Sequence, residues 1–200
     1  MDRELLFALI STGIYLVGII PYWSDVLKGR TYPHPFTTGV WTILVGFNSY
    51  VLFIRGEYYS FIPSILMTIS LVVFWIGFWS YYFKKISMNW FDYFCLILAI
   101  GMLFYWFLSK DVLNTVILTL IIDLIAFLPV FKKWWIAPWT ETVFAYFMAW
   151  VNQIFTFLAL RAPNPETSIF WIYLLVSNII FCLMVIYRRW SLEGWKSIFK

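Results

Sequence analysis

Two stretches decide the fold: TGVWTILVGFN at residues 38–48 and TVFAYFMAWVN at residues 142–152. Each is an apolar run that opens on a threonine and reaches an asparagine at the same spacing. A single offset of 104 residues therefore places Thr38 on Thr142 and Asn48 on Asn152, and it also carries Lys84-Lys85 onto Arg188-Arg189. Leucine-on-isoleucine matches arise wherever two hydrophobic segments are laid together. Three polar coincidences under one offset point instead to internal duplication. Further upstream, Pro21 falls on Pro129 under an offset of 108 residues, the difference being a longer loop after the first helix of the first copy.

Working outward from these stretches, seven apolar segments lie near 5–22, 38–54, 60–83, 91–108, 112–131, 140–160 and 168–187. At about 17–25 residues each, they are long enough to cross roughly 30 Å of hydrocarbon as helices. Composition agrees: 63% of residues are hydrophobic, 12% are charged, and mean hydropathy is +0.84, which excludes an ordinary soluble domain. The expected fold is an all-α membrane protein of seven transmembrane helices. An odd fourth span separates the two copies, so both triplets run the same way, in a 3+1+3 parallel repeat about an axis along the membrane normal. Residues 1–86 then form the first three-helix repeat, 87–110 the linker helix, 111–189 the second repeat, and 190–200 an interfacial cytoplasmic tail alternating apolar and basic residues.

Charge sets the orientation. Of the fourteen Lys and Arg, Lys28, Arg30, Lys84, Lys85, Lys132, Lys133, Arg188, Arg189, Lys196 and Lys200 fall on one side of the alternating spans. Arg3, Arg55, Lys110 and Arg161 fall on the other. By the positive-inside rule the N-terminus is outside and the C-terminus cytoplasmic. The same asymmetry accounts for the net charge of +4 and pI near 9.0, so no nucleic-acid partner is inferred. The first span reads as a retained helix rather than a signal peptide, because Asp2 and Glu4 offset Arg3 and no small-x-small cleavage site follows. Cys95 and Cys182 sit inside spans without metal-type spacing and read as packing residues.

The run Ile19-Ile20-Pro21-Tyr22 closes the first helix of one triplet and Phe127-Leu128-Pro129-Val130 that of the other. Pro35 and Pro138 stand at the entry of the helices that follow. In these motifs, over nearly the whole chain, the sequence resembles the PQ-loop superfamily of seven-helix carriers, which includes the SWEET sugar transporters, cystinosin-like exporters and, more remotely, the KDEL receptors. The Gln that follows each Pro in that family's motif is Tyr22 in one copy and Val130 in the other. An Asp-x-x-Ala-x-x-Pro run, Asp123, Ala126 and Pro129, is similar to one in a branch of bacterial membrane proteins. The resemblance implies a transporter, and it implies a substrate contact for Asn178, since SWEETs use an Asn in their last helix.

Read physically, Pro21, Pro35, Pro129 and Pro138 each remove a backbone donor and weaken a helix near the cytoplasmic face. They are candidates for hinge or gate residues, the other reading being that Pro21 and Pro138 simply end or begin helices. Asn48 and Asn152 fall near mid-bilayer, where buried amides face either a cavity or a neighbouring helix. If the duplication holds, they face each other across the axis and line a solute site together with Asn178, Trp41 and Trp150. Asp123 is the carboxylate deepest in a span. Proton coupling or cation recognition is its functional reading, a hydrogen bond to a neighbouring Ser, Tyr or Trp its structural one. Asp92 and Glu141, near span starts, read as caps or as ion-pair partners of Lys132 or Lys133.

Aromatic residues make up 24% of the chain, with thirteen Trp. Trp23, Trp90, Trp134, Trp135, Trp139 and Trp190 lie at span ends and read as interfacial belts.

Enzyme chemistry finds no support, with a lone loop His34 and no HExxH, nucleophile elbow or P-loop. No Lys stands in the seventh span for a retinal Schiff base. The expectation is a cofactor-free small-solute transporter, a facilitator or proton-coupled carrier using alternating access, in a bacterial inner membrane. Its partners are the lipid bilayer and a sugar, nucleoside or amino acid, and a homo-oligomer is left open. The alternative is a seven-helix receptor or sensor of the same fold that binds its ligand without translocating it.

Overall fold

The computed structural model describes residues 2–31, 33, 35–82 and 90–193, without the side chains of residues 35, 36, 78–82, 92, 129 and 193. His34, Lys84, Lys85 and the tail beyond residue 193 lie outside the described residues, as do the side chains of Pro35, Asp92 and Pro129. The described chain is helical throughout: α1 (Arg3–Leu27), α2 (Pro35–Ile54), α3 (Tyr58–Tyr82), α4 (Trp90–Ser109), α5 (Val112–Ile136), a 3₁₀ turn (Pro138–Thr140), α6 (Val143–Leu158) and α7 (Pro165–Glu193).

α1, α2, α3, α5 and α7 are long and apolar enough to cross a bilayer, while the apolar parts of α4 and α6 are shorter. Their outward faces carry large hydrophobic side chains such as Ile20, Ile97, Phe104 and Leu183, each at least 62% exposed. An apolar exterior of this extent suits an integral membrane protein. Hydroxyls that would be costly in hydrocarbon bond back into their own helices, as Thr12 does to Ala8 O, Thr42 to Thr38 O and Ser177 to Tyr173 O.

Two helices run past the prolines expected to end them. Pro21 lies inside α1, which continues to Leu27, and α5 continues past residue 129 to Ile136. A proline removes one intrahelical bond, and close neighbours hold the remaining turns together. α1 instead stops where Gly29 takes a φ of 66°, and α2 where Gly56 takes 75°, the left-handed caps that glycine adopts without strain. Pro138 starts the 3₁₀ turn and is separated from α6, which begins only at Val143. Pro63, which the sequence did not single out, lies inside α3.

Packing follows a two-part pattern. α3 contacts both α1 and α2, and α7 contacts both α5 and α6. Between these groups α1 packs on α6 and α2 on α5, while α3 touches α6 and α7 touches α2. Exchanging α1 with α5, α2 with α6 and α3 with α7 turns every one of these pairings into another of them. α4 stands outside the exchange and packs on α2 and α5. Its Cys95, Ala99 and Met102 join Leu44, Val51, Val116 and Phe170 in the larger core cluster, and a second cluster gathers Trp134, Phe181, Cys182 and Val185 between α5 and α7. Trp134, expected in an interfacial belt, is fully buried there, whereas Trp90, Trp135 and Trp190 are exposed at 76%, 46% and 44%.

Candidate functional site

A cavity lies between the two helix groups, with about 130 Å³ of space for the centres of water-sized molecules. Its walls come from α1, α2, α3, α5, α6 and α7, and α4 contributes none of the described lining. The 108 and 104 offsets pair wall residues of the two helix groups: Tyr15 with Asp123, Ile19 with Phe127, Trp41 with Ala145, Val45 with Ala149, Ser70 with Leu174, and Phe74 with Asn178. Gly18 lets α1 approach α6 closely beside it, since a Cβ there would stand 2.6 Å from Met148 Cβ.

Of the residues nominated from sequence, Trp41, Asp123 and Asn178 line the cavity; Asn48, Asn152 and Trp150 do not. α2 and α6 are not in contact, so Asn48 and Asn152 do not meet across the axis. Each instead reaches the first helix of the other group. Asn48 Nδ2 donates to Leu44 O at 2.9 Å and to Thr119 Oγ1 of α5 at 3.3 Å. Asn152 Nδ2 donates to Ser11 O of α1 at 2.7 Å and to Ser11 Oγ at 2.8 Å. Ser11 and Thr119 are themselves 108 residues apart, so these are the same contact made twice. Asn178 Nδ2 donates to Leu174 O at 2.8 Å and, more weakly, to Gln153 Oε1 at 3.4 Å. Trp150 is half-buried, edge-on to Phe147, in the second core cluster.

Asp123 is buried at 1% exposure on the cavity wall. Trp41 and Tyr173 are the donors placed against its carboxyl. Neither meets hydrogen-bond geometry, so Asp123 Oδ2, Trp41 Nε1 and Tyr173 OH find no hydrogen-bond partner among the described residues. Buried polar atoms left this way are ones that a water or a ligand can complete. Tyr15, Tyr22, Thr38, Ser70, Tyr146 and Gln153 add further polar groups to the lining and were not singled out from sequence as site residues, although Tyr15 stands on Asp123 under the 108 offset.

The cavity occupies the half of the bundle nearer the α1–α2 and α5–α6 connections, and the opposite half is shut. There Ser11 Oγ and Thr156 Oγ1 lie 2.7 Å apart, Ser60 Oγ donates to Thr156 O at 2.9 Å, and Phe7 packs on Phe155. Beyond them Glu57, 3% exposed, accepts the Arg161 N–H at 2.7 Å and the Ala162 N–H at 2.8 Å. This carboxylate joins the α2–α3 loop to the α6–α7 loop, so it bridges the two groups. Arg55 pairs with Glu166, and Arg161 reaches Asp2 and Tyr59, both on the same face.

On the cavity side of the molecule, Thr142 Oγ1 donates to Asp25 Oδ2 at 2.9 Å and lies 2.7 Å from Thr31 Oγ1. Glu141 pairs with Lys133 at 2.6 Å, and Arg189 donates to Pro138 O and Glu141 O. Burial pushes the Glu141 carboxyl above the usual carboxylate range, and the Lys133 ammonium opposes this.

Compared with known protein families, curated proteins and solved structures, the chain matches none.

Proposed function

We propose that the chain is a small-solute carrier of 3+1+3 design, in which α1–α3 and α5–α7 are duplicated triplets that rock about the cavity between them while α4 links them. The observation that carries this reading is the cavity itself, walled by both triplets at positions that the sequence offsets interchange and shut toward one face by the Glu57 bridge. In the proposed orientation the shut face is the outer one, the C-terminus is cytoplasmic, and the membrane is a bacterial inner membrane. The described conformation is then shut at the outer face and also bridged at the inner one by Thr142, which bonds Asp25 and Thr31, as in an occluded state. Opening the outer face breaks the contacts of Glu57, Arg55 and Arg161, and opening the inner one breaks those of Thr142 with Asp25 and Thr31. Alternating access then depends on the balance between the contacts of the outer face and those of the inner one.

Proteoliposomes preloaded with pools of unlabelled sugars, nucleosides, amino acids and amines, then exposed to the matching labelled pools, test the reading. The carrier exchanges at least one class above protein-free vesicles, and Ala149→Trp, which places an indole at the cavity wall, abolishes that exchange. Binding of a solute without any exchange would replace the carrier with a receptor.

A further inference from the structure

The chemistry of the cavity wall narrows the solute. Asp123 is the one carboxylate among the described lining residues, and no Lys, Arg or His accompanies it there. Its pseudo-symmetric mate is Tyr15, so an acidic side chain stands on one side of the axis only. Aromatic rings stand on both sides of the space. Trp41 and Phe127, with centroids 5.2 Å apart, flank the Asp123 wall; Tyr22, packed at 6.1 Å from Phe74 and 6.4 Å from Tyr146, forms the facing one. Few amides are left for a polyhydroxylated solute: Asn48 and Asn152 lie outside the lining, Asn178 is bonded to its own helix, and the lining Gln153 accepts from Asn178 through its Oε1.

Resting on the carrier reading above, we infer that the cavity takes a small organic cation, an amine or quaternary ammonium on an apolar or aromatic body, with Asp123 as its counter-ion and the Trp41 and Tyr22 rings against its charged and flat faces. A cation supplies what the unpartnered Oδ2 lacks, and the ring faces stabilise positive charge in a desolvated space. A free anion meets an uncompensated carboxylate there and is excluded. A sugar leaves that carboxylate without a counter-charge and finds few free amides.

The test is titration calorimetry of the purified full chain with phenyltrimethylammonium and phenethylammonium, against 2-phenylethanol as the neutral analogue and D-glucose and uridine as polar ones. The cations bind. Asp123→Asn, which keeps the shape and removes the charge, weakens them by at least about tenfold while leaving 2-phenylethanol unchanged. Trp41→Leu weakens the quaternary cation more than the primary one, and Asp123→Glu retains measurable cation binding, which separates loss of charge from loss of fold. Equal binding of cation and alcohol, cation binding that survives Asp123→Asn, or binding of glucose or uridine with no cation bound would each overturn the inference. Failure here with exchange of a neutral solute in proteoliposomes would leave the carrier standing; cation binding without exchange would remove the carrier and keep the site.

Discussion

Removing the Glu57 carboxylate is the perturbation whose size follows most directly from the structure. It accepts two backbone N–H groups of the α6–α7 loop, at 2.7 and 2.8 Å, from a position only 3% exposed. A hydrogen bond to a charged group contributes about 1.5–3 kcal/mol. Arg161 and Ala162 are exposed residues, so water recovers part of what Glu57→Ala removes, and a net loss of roughly 2–4 kcal/mol is expected. That amounts to roughly a 30- to 900-fold rise in the population in which the two loops have separated. Amide hydrogen exchange reads this population at the two N–H groups themselves. Their protection falls by that factor in Glu57→Ala and by a smaller one in Glu57→Gln, which keeps one acceptor oxygen. Protection within about threefold of wild type would refute the reasoning, because the loops would then be held by something other than this carboxylate.

Three further outcomes are expected. Gly18→Ala places a Cβ 2.6 Å from Met148 Cβ, an atom that cannot swing aside, and lowers stability by about 1–3 kcal/mol in thermal unfolding of the detergent-solubilised protein. Asn152→Ala costs about 1–2 kcal/mol and Asn48→Ala about 0.5 kcal/mol in the same assay, because Asn152 makes two short interhelical bonds where Asn48 makes one at 3.3 Å; equal costs would contradict the geometry. Burial raises Glu141, so the native state holds its proton more tightly than the unfolded chain. Its contribution is present in full below its ordinary 4.5 and is lost as pH rises through the shifted value, a decline in melting temperature that Glu141→Gln flattens.

The helices were legible because hydrocarbon imposes long apolar runs, and polar residues paired at a fixed offset matched helices that make equivalent packing contacts. Helix ends were less so. Pro21 reads as a terminator in isolation, yet α1 passes through it, since α1 is held along its length by α3 and α6. Asn48 and Asn152 were found, but their partners were misassigned. Equivalent residues need not meet at the axis, and here each meets the first helix of the other triplet through Ser11 or Thr119. The second offset already placed those two hydroxyls in register. Glu57 carried no signal at all, since its partners are backbone N–H groups, which leave no trace in side-chain identity. Asp123 stood out because a carboxylate is rare at that depth, whereas the aromatic walls around it are indistinguishable in sequence from the many rings that face lipid.

The central claim is that the two triplets rock, so that one face opens as the other closes. Spin-label distances across both faces test it most directly, with one pair at residues 58 and 163 beside the Glu57 bridge and another at residues 28 and 132 on the opposite face, in wild type and in Glu57→Ala. The account predicts that releasing the bridge lengthens the 58–163 distance and shortens the 28–132 distance together. A 58–163 distance that lengthens with no answering change at 28–132 would show loops that fray on a rigid bundle, and would contradict it.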